Sequence, residues 1–432
     1  MTTRSPARSS ASFAAGSLAA MIVAGAALVS SAPVSALEVA EPLCPAAHLY
    51  KGISMVPSPA FSIQDDHAEV TISAGTLPAG VVLTGDVVAR APYAYSGTPT
   101  TTGTYSFTVK ATFPSTPAKT VACKLEVGEL TMPTRIQGTD RFDQAAKVVA
   151  STYTTAETVY LASGEVFADA LSAGSVAGVH GAPLLLTKNG ELPGVTKAAL
   201  TSLAPKNIVV VGGPASISPA VFDGLKRDFA TADVVRIGGA DRFAVSRALI
   251  GDADFGVLSS SYLYIATGAT FPDALSATPA AVGVKGPVLL VKGSEAALTG
   301  DELAVINDLG VTRARIAGGL ASVSQGIQDQ LVGRDIAVSR SAGATRYDVA
   351  VNINAEAFAA ADTVYLASGE VFPDALSAGP IAGESSSPIF LAHTNCVPES
   401  VLDSIERLAP DHIIVLGGPA TLSPDIDHLK PC

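Results

Sequence analysis

Six arginines fall into three pairs with one spacing: Arg135 and Arg141, Arg236 and Arg242, Arg340 and Arg346. A guanidinium presents a planar fork of N–H donors that grips carboxylate or phosphate bidentately. After each pair the chain repeats one phrase. It reads Ser163-Gly164-Glu165-Val166-Phe167-Ala168-Asp169-Ala170-Leu171-Ser172-Ala173, returns from Thr267-Gly268 through Phe271-Pro272-Asp273 to Ala277, and returns again from Ser368-Gly369 through Phe372-Pro373-Asp374 to Ala378. The aspartates are 104 and 101 residues apart. Solenoid units run only ~20–50 residues, so each copy is a small domain. Three copies of a cation-bearing motif point to repeated anion-binding surfaces, because a catalytic site rarely needs three copies. Each residue also has a purely internal use. Arg141 could pair with Asp140 or Asp169, and an acid such as Asp169, Asp273 or Asp374 in a first helical turn is favoured by the helix dipole.

The chemistry of hydrolases is not written into the repeats. A zinc centre needs histidine and carboxylate ligands, and residues 234–337 contain no histidine or cysteine. A repeated nucleophile–histidine pair is excluded on the same ground. Neither a Gly-x-Gly-x-x-Gly nor a Walker signature occurs. No catalytic residue, metal or cofactor is therefore expected. The net charge of −12 disfavours nucleic acid, whose phosphates need a basic surface. The lack of tryptophan weakens a sugar-stacking lectin.

The elements around these residues are regular. Val159 to Ala162 is a short apolar strand, Phe167 to Val179 a small-residue helix, and Leu184 to Leu186 a second strand. Leu192 to Leu203 has helical spacing. Ile208 to Val211 is a third strand, stopped by Gly212-Gly213, and Ser218 to Phe229 another helix. Strands that are apolar throughout belong to parallel sheets covered by helices on both faces. The expected domains are 130–233, 234–337 and 338–432. In such sheets the ligand-facing rim lies beyond the carboxyl ends of the strands. That rim would hold Ser163 and Gly164, Thr267 and Gly268, and Ser368 and Gly369.

Residues 37–129 differ. Alternating apolar and polar positions at 68–73, 104–109 and 121–127, separated by Gly/Pro turns, predict an all-β immunoglobulin-like sandwich. Residues 1–36 carry Arg4 and Arg8, a small apolar stretch and Val34-Ser35-Ala36, the pattern of a secretory signal. No later stretch reaches the ~18–20 unbroken apolar residues of a membrane helix, and no C-terminal Leu-Pro-x-Thr-Gly sorting signal is present. An integral membrane segment after signal cleavage is thus not expected. An exported chain with four cysteines is read as disulfide-bonded. Cys44 and Cys123 bracket the first module, and Cys396 and Cys432 the end of the last repeat, with connectivity left open.

Further landmarks recur in order. Pro183-Leu184-Leu185-Leu186 returns as Pro287-Val288-Leu289-Leu290 and Pro388-Ile389-Phe390-Leu391, and Gly212-Gly213-Pro214 as Gly318-Gly319-Leu320 and Gly417-Gly418-Pro419. Together with Arg135-Ile136-Gln137-Gly138-Thr139-Asp140-Arg141-Phe142 and the Phe-x-Asp-Ala-Leu-Ser-Ala phrase, they resemble the cell-wall-binding repeat 2 family across about residues 130–432. Residues 77–105 are similar to bacterial immunoglobulin-like domains. The resemblance implies a Toprim-like α/β fold per repeat, three repeats in a pseudo-threefold arrangement, and non-covalent attachment to anionic secondary polymers of a Gram-positive wall. The partner implied is an anionic polysaccharide or teichoic-type polymer, or peptidoglycan itself. It also links the proline-led strand to polymer binding, and so Pro183, Pro287 and Pro388. The third repeat departs from the pattern: Thr345 stands where the others have Asp140 and Asp241, and Tyr347 where they have Phe142 and Phe243. Toprim enzymes hold magnesium with a glutamate after the first strand and an Asp-x-Asp pair later. Ala269 breaks the first position and the Gly-Gly turns lack the second. The expected function is a non-catalytic surface anchor displaying the immunoglobulin-like module. The alternative is an accessory or degenerate peptidoglycan hydrolase.

Overall fold

The computed structural model describes residues 41–432 apart from 46–47, 56, 61–67, 87–90 and 115–116. The expected signal, residues 1–36, lies outside the described residues.

The first module contains β1 His48–Tyr50, β2 Ser58–Pro59, β3 Glu69–Gly75, β4 Val81–Asp86, β5 Ala91–Gly97, β6 Gly103–Thr112 and β7 Lys119–Gly128. They form two sheets, in the orders β1-β7-β6-β3 and β2-β5-β4. Strand β7 shows why the alternation was legible: from Val121 to Val127 its exposed and buried residues alternate, with Cys123, Leu125 and Val127 inward. Cys44 bonds to Cys123.

The rest is α/β. The next elements are β8 Thr134–Ile136, α1 Arg141–Ala150, β9 Thr158–Ser163, α2 Ala168–Val179, β10 Leu184–Thr187, α3 Gly194–Leu203, β11 Asn207–Val211, α4 Pro219–Asp228 and β12 Asp233–Ile237. The second repeat runs α5 Arg242–Ile250, β13 Tyr262–Thr267, α6 Pro272–Gly283, β14 Val288–Val291, α7 Gly300–Leu309, β15 Arg313–Ala317, α8 Gln325–Val332 and β16 Ala337–Ser341. The third runs α9 Arg346–Ala357, β17 Thr363–Ser368, α10 Ala378–Glu384, β18 Ile389–Ala392, α11 Glu399–Leu408 and β19 His412–Leu416.

Three four-stranded parallel sheets result, with orders β10-β9-β11-β12, β14-β13-β15-β16 and β18-β17-β19-β8. The strand Asp233–Ile237, which reads in sequence as the opening of the second unit, completes the first sheet. Likewise Ala337–Ser341 completes the second. The third sheet takes its last strand from far upstream: Thr134, Arg135 and Ile136 lie beside Ile414, Val415 and Leu416.

The small-residue helices meet at the centre. Helix α2 is buried from Ala168 to Gly178, and each of α2, α6 and α10 packs against the other two. Close approach is made by glycine: a Cβ at Gly178 would lie 2.5 Å, and one at Gly383 2.3 Å, from side-chain carbons of Val282. In the third repeat the central helix is broken. A short 3-10 turn, Pro373–Ala375, precedes α10. Cys396 bonds to Cys432, tying the end of the chain to the segment after β18.

Candidate functional site

The residues of the repeated phrase gather beyond the carboxyl ends of the strands, and they do so across repeat boundaries. Arg141 Nη1 donates to Gly164 O at 2.6 Å and Arg242 Nη1 to Gly268 O at 2.7 Å, and Arg346 Nη1 donates to Gly369 O. Each arginine is also an electrostatic partner of the aspartate one repeat away: Arg242 of Asp169, Arg346 of Asp273, and Arg141 of Asp374. The phenylalanines of the phrase complete the set. Ring centroids of Phe167 and Phe271 are 6.2 Å apart, Phe167 and Phe372 5.6 Å, and Phe271 and Phe372 5.9 Å. Arg141 lies 5.8 Å from the Phe372 centroid and Arg242 5.3 Å from that of Phe167, within cation–π range. The rings are half-buried, Arg242 and Arg346 exposed, and Val166 and Val371 exposed beside them. A small apolar platform edged with guanidinium groups faces solvent.

The aspartates themselves face inward. Asp169 is 4% and Asp273 6% exposed. Oδ2 of Asp169, Asp273 and Asp374 packs against Gly212, Gly318 and Gly417, whose φ values of 118°, 109° and 110° suit glycine. A Cβ there would stand 2.3–2.5 Å from the carboxylate oxygen. Ser216, Ser322 and Thr421 hydrogen-bond these carboxyls, the last at 2.7 Å. Burial pushes all three carboxyl pKa values up, against the pull of those hydrogen bonds and of the neighbouring arginine. They hold the Gly-Gly turn in place. One turn further along each helix phrase, Ser172, Ser276 and Ser377 are buried and their hydroxyls make no hydrogen bond among the described residues.

The other arginine of each pair has a different place. Arg135 contacts Asp427 at 2.7 Å and donates to the carbonyls of Gly417 at 2.7 Å, Leu422 at 2.9 Å and Ser423 at 3.2 Å. Arg340 donates to Gln328 and to the carbonyls of Gly318, Gly319, Val323 and Ser324. Arg236 donates to Gly212 O at 2.8 Å and stacks 4.7 Å from Phe222. These three clasp the loops after the third strands from within.

Two further expectations resolve in the local geometry. Asp140 and Asp241 are helix N-caps, each accepting two backbone N–H bonds. Thr345 caps α9 in the same way, in a capping box with Asp348, so this substitution leaves the helix start intact. Pro183, Pro287 and Pro388 stand at the amino ends of β10, β14 and β18, the opposite end from the arginine rim, and all are buried. Their carbonyls accept from Tyr160, Tyr264 and Tyr365 N–H at 3.0 Å. Ser163, Thr267 and Ser368 are buried at the strand ends, where their hydroxyls accept N–H bonds from Glu165, Ala269 and Glu370. The structure thus sets half-buried Arg141 and exposed Arg242 and Arg346 over the Ser/Thr-Gly turns, whose own residues are buried. It turns half-buried Arg135, Arg236 and Arg340 onto backbone carbonyls and buries the prolines.

Comparison with known proteins fits this layout. The family described as cell wall binding domain 2 (CWB2) matches residues 135–222, 236–328 and 340–427. The He_PIG family of Ig domains matches residues 39–128. N-acetylmuramoyl-L-alanine amidase LytC of Bacillus subtilis (strain 168) is 26% identical over 301 residues, 68% of this chain and 58% of that protein. The amidase enhancer of the same organism is 26% identical over 298 residues, 68% of this chain and 39% of that protein. The chain therefore spans less than two thirds of either relative. Among solved structures, Cwp6 from Clostridium difficile has a TM-score of 0.62 at 19% identity, covering 89% of this chain and 67% of that one. Cwp8 from the same organism has a TM-score of 0.61 at 22% identity, covering 76% and 58%.

Proposed function

This chain belongs to the cell wall binding domain 2 family, and from that premise we propose that it is a non-catalytic, exported surface protein held non-covalently on anionic secondary polymers of a Gram-positive wall. The repeats would do the holding, and the immunoglobulin-like module would be displayed. The observation that carries this is the gathering of Arg141, Arg242 and Arg346 around Phe167, Phe271 and Phe372 at the strand ends. Nη1 of each arginine is used on a glycine carbonyl. Nε and Nη2 of all three make no hydrogen bond among the described residues, so each can meet a phosphate or carboxylate. A negatively charged chain can hold a polyanion this way, because the cations are concentrated on one rim.

We read the repeats as Toprim-like and pseudo-threefold, a reading supported by the three like-ordered parallel sheets and the pairwise contacts of α2, α6 and α10. Export is supported by the signal pattern of residues 1–36. The buried prolines act on binding only through the strands they start. The alternative, an accessory or degenerate hydrolase, is favoured by the amidase LytC and the amidase enhancer among the relatives.

The full chain is expected to sediment with purified walls and to lose that binding after acid extraction of secondary polymers. A triple Arg141→Gln, Arg242→Gln, Arg346→Gln variant is expected to lose it while keeping a cooperative unfolding transition. Binding that survives extraction moves the target to peptidoglycan. Lysis of the walls by purified protein establishes the hydrolase instead.

A further inference from the structure

A second basic position keeps register in all three repeats. The residue five past each proline, directly after the second strand, is Lys188, Lys292 or His393. Lys188 Nζ lies 6.0 Å from the centroid of Phe142, and Lys292 Nζ 5.8 Å from that of Phe243. The His393 ring lies 4.1 Å from that of Tyr347, with Nδ1 2.9 Å from the phenol oxygen. Each aromatic ring in turn closes on the glycine whose carbonyl holds the rim arginine. A Cβ on Gly164, Gly268 or Gly369 would come within 2.8, 2.6 or 2.5 Å of that ring. At Gly164 and Gly268 it would also lie 3.3–3.4 Å from Cδ of Arg141 or Arg242. The guanidinium, the ring and the second basic group thus surround one Ser/Thr-Gly turn.

We propose that Lys188, Lys292 and His393 are the second cations of three anion-binding cradles whose first cations are Arg141, Arg242 and Arg346, and that the third cradle is switched by pH because its second cation is a histidine. The proposal rests on the wall-polymer reading and names residues and a regulation for that same rim. The charged neighbours differ in a telling way. In the first repeat Glu165 is occupied by the backbone N–H of Asn189 at 2.8 Å, and Lys188 pairs with Glu191 at 3.2 Å. In the second, Ala269 leaves no carboxylate at the glutamate position, and Lys292 instead shares a cleft with Asp241, Glu295, Asp301 and Glu302. In the third, His393 faces Tyr347 from α9 and Glu370 from the loop after β17, Glu370 being 3.5 Å away and also bonded to Thr394, while Arg346 acts on the same Tyr347 phenol. Hydrogen bonds from Thr394 and the neighbouring His393 hold the Glu370 carboxyl below the usual carboxylate range, so it stays ionised beside the imidazole. The third cradle gains its second positive charge only when the imidazole is protonated, and that charge then offsets Glu370. Histidine changes charge between about pH 5 and about pH 8, so attachment would be tightest in acidified surroundings.

The test uses the full chain and purified Gram-positive walls, with and without acid extraction of their secondary polymers, at about pH 5.5 and about pH 8. Wild type is expected to bind several-fold more tightly at the lower pH. His393→Lys is expected to bind at the higher pH as wild type does at the lower one. His393→Gln is expected to hold the weaker value at both. Lys188→Gln and Lys292→Gln are each expected to reduce the slope of log affinity against log salt by about one, as loss of one ionic contact does. Thermal unfolding of all variants is measured alongside. A pH dependence that persists unchanged in His393→Lys overturns the switch, and unaltered salt slopes in both lysine variants overturn the cradles. Failure of wild type to bind intact walls, or binding that survives extraction, overturns the underlying polymer reading and the proposal with it.

Discussion

Arg340 and Arg346 are six positions apart and have opposite surroundings. Arg340 spends its guanidinium on Gln328 and four backbone carbonyls, and burial pulls its pKa down. Hydrogen bonds to charged groups are worth ~1.5–3 kcal/mol, and stranding their buried partners costs more than losing both sides. Arg340→Ala is therefore expected to destabilise by about 3 kcal/mol, seen in denaturant unfolding, whereas Arg346→Gln lowers wall binding at smaller cost to stability. The sequence shows both arginines equally well. What it hides is the acceptors: backbone carbonyls carry no signature, so only the structure separates clamp from rim. Lys188, Lys292 and His393 were missed for a related reason, since a single basic residue after a strand is unremarkable until its constant offset from the proline is noticed. The buried aspartates make a pH prediction. Burial raises the folded pKa of Asp273, so its contribution is fully present below the unfolded value of ~3.9 and is lost as pH rises through the folded value. Asp273→Asn stays neutral throughout. Its melting temperature relative to wild type is expected to rise between about pH 4 and about pH 7. A relative fall over that range means the ion pair with Arg346 outweighs desolvation.

Strands and helices were readable because Leu184 to Thr187 and its counterparts are buried on every residue, which leaves a continuous apolar run. Partnership was not readable. Every strand of a parallel sheet looks alike from outside, so nothing in Asp233–Ile237 says which sheet it completes. Nor does anything in Thr134–Ile136 announce that its partner lies some 280 residues later. Strand β8 and Arg135 together finish the third sheet and clasp its last loop. A chain beginning at residue 137 leaves the β19 edge unpaired and Asp427 without its cation. Compared with a chain beginning at residue 130, it is expected to melt several degrees lower and to aggregate on heating, as an exposed strand edge does. Equal melting curves would mean that β8 adds nothing to the third repeat. The central helices show the other limit of sequence reading. Their alanine-rich composition announces close packing, but which glycine meets which side chain, Gly178 and Gly383 on Val282, depends on three segments about a hundred residues apart.

At the scale of the molecule, the first module and the linker after it are fastened to the last repeat. Tyr50 Oη donates to Glu406 of α11 at 3.0 Å, and Thr131 Oγ1 to Pro410 O at 3.1 Å. Burial and Glu406 both push the Tyr50 phenol upward, so it remains a donor at any ordinary pH. A net charge of −12 gave no hint of a basic rim, because a sum over the chain is blind to where the six arginines lie. The strand closure carries a mechanical consequence. If the repeats are gripped from outside and the first module is tugged, tension enters the repeats at residues 129–134 and runs along β8. It therefore loads the β8–β19 hydrogen bonds side by side, together with the Arg135–Asp427 pair. A row of bonds sheared together resists pulling far better than bonds opened one at a time. The shortest strand of the three parallel sheets would then be the latch that decides how much drag the displayed module can transmit before the last repeat gives way.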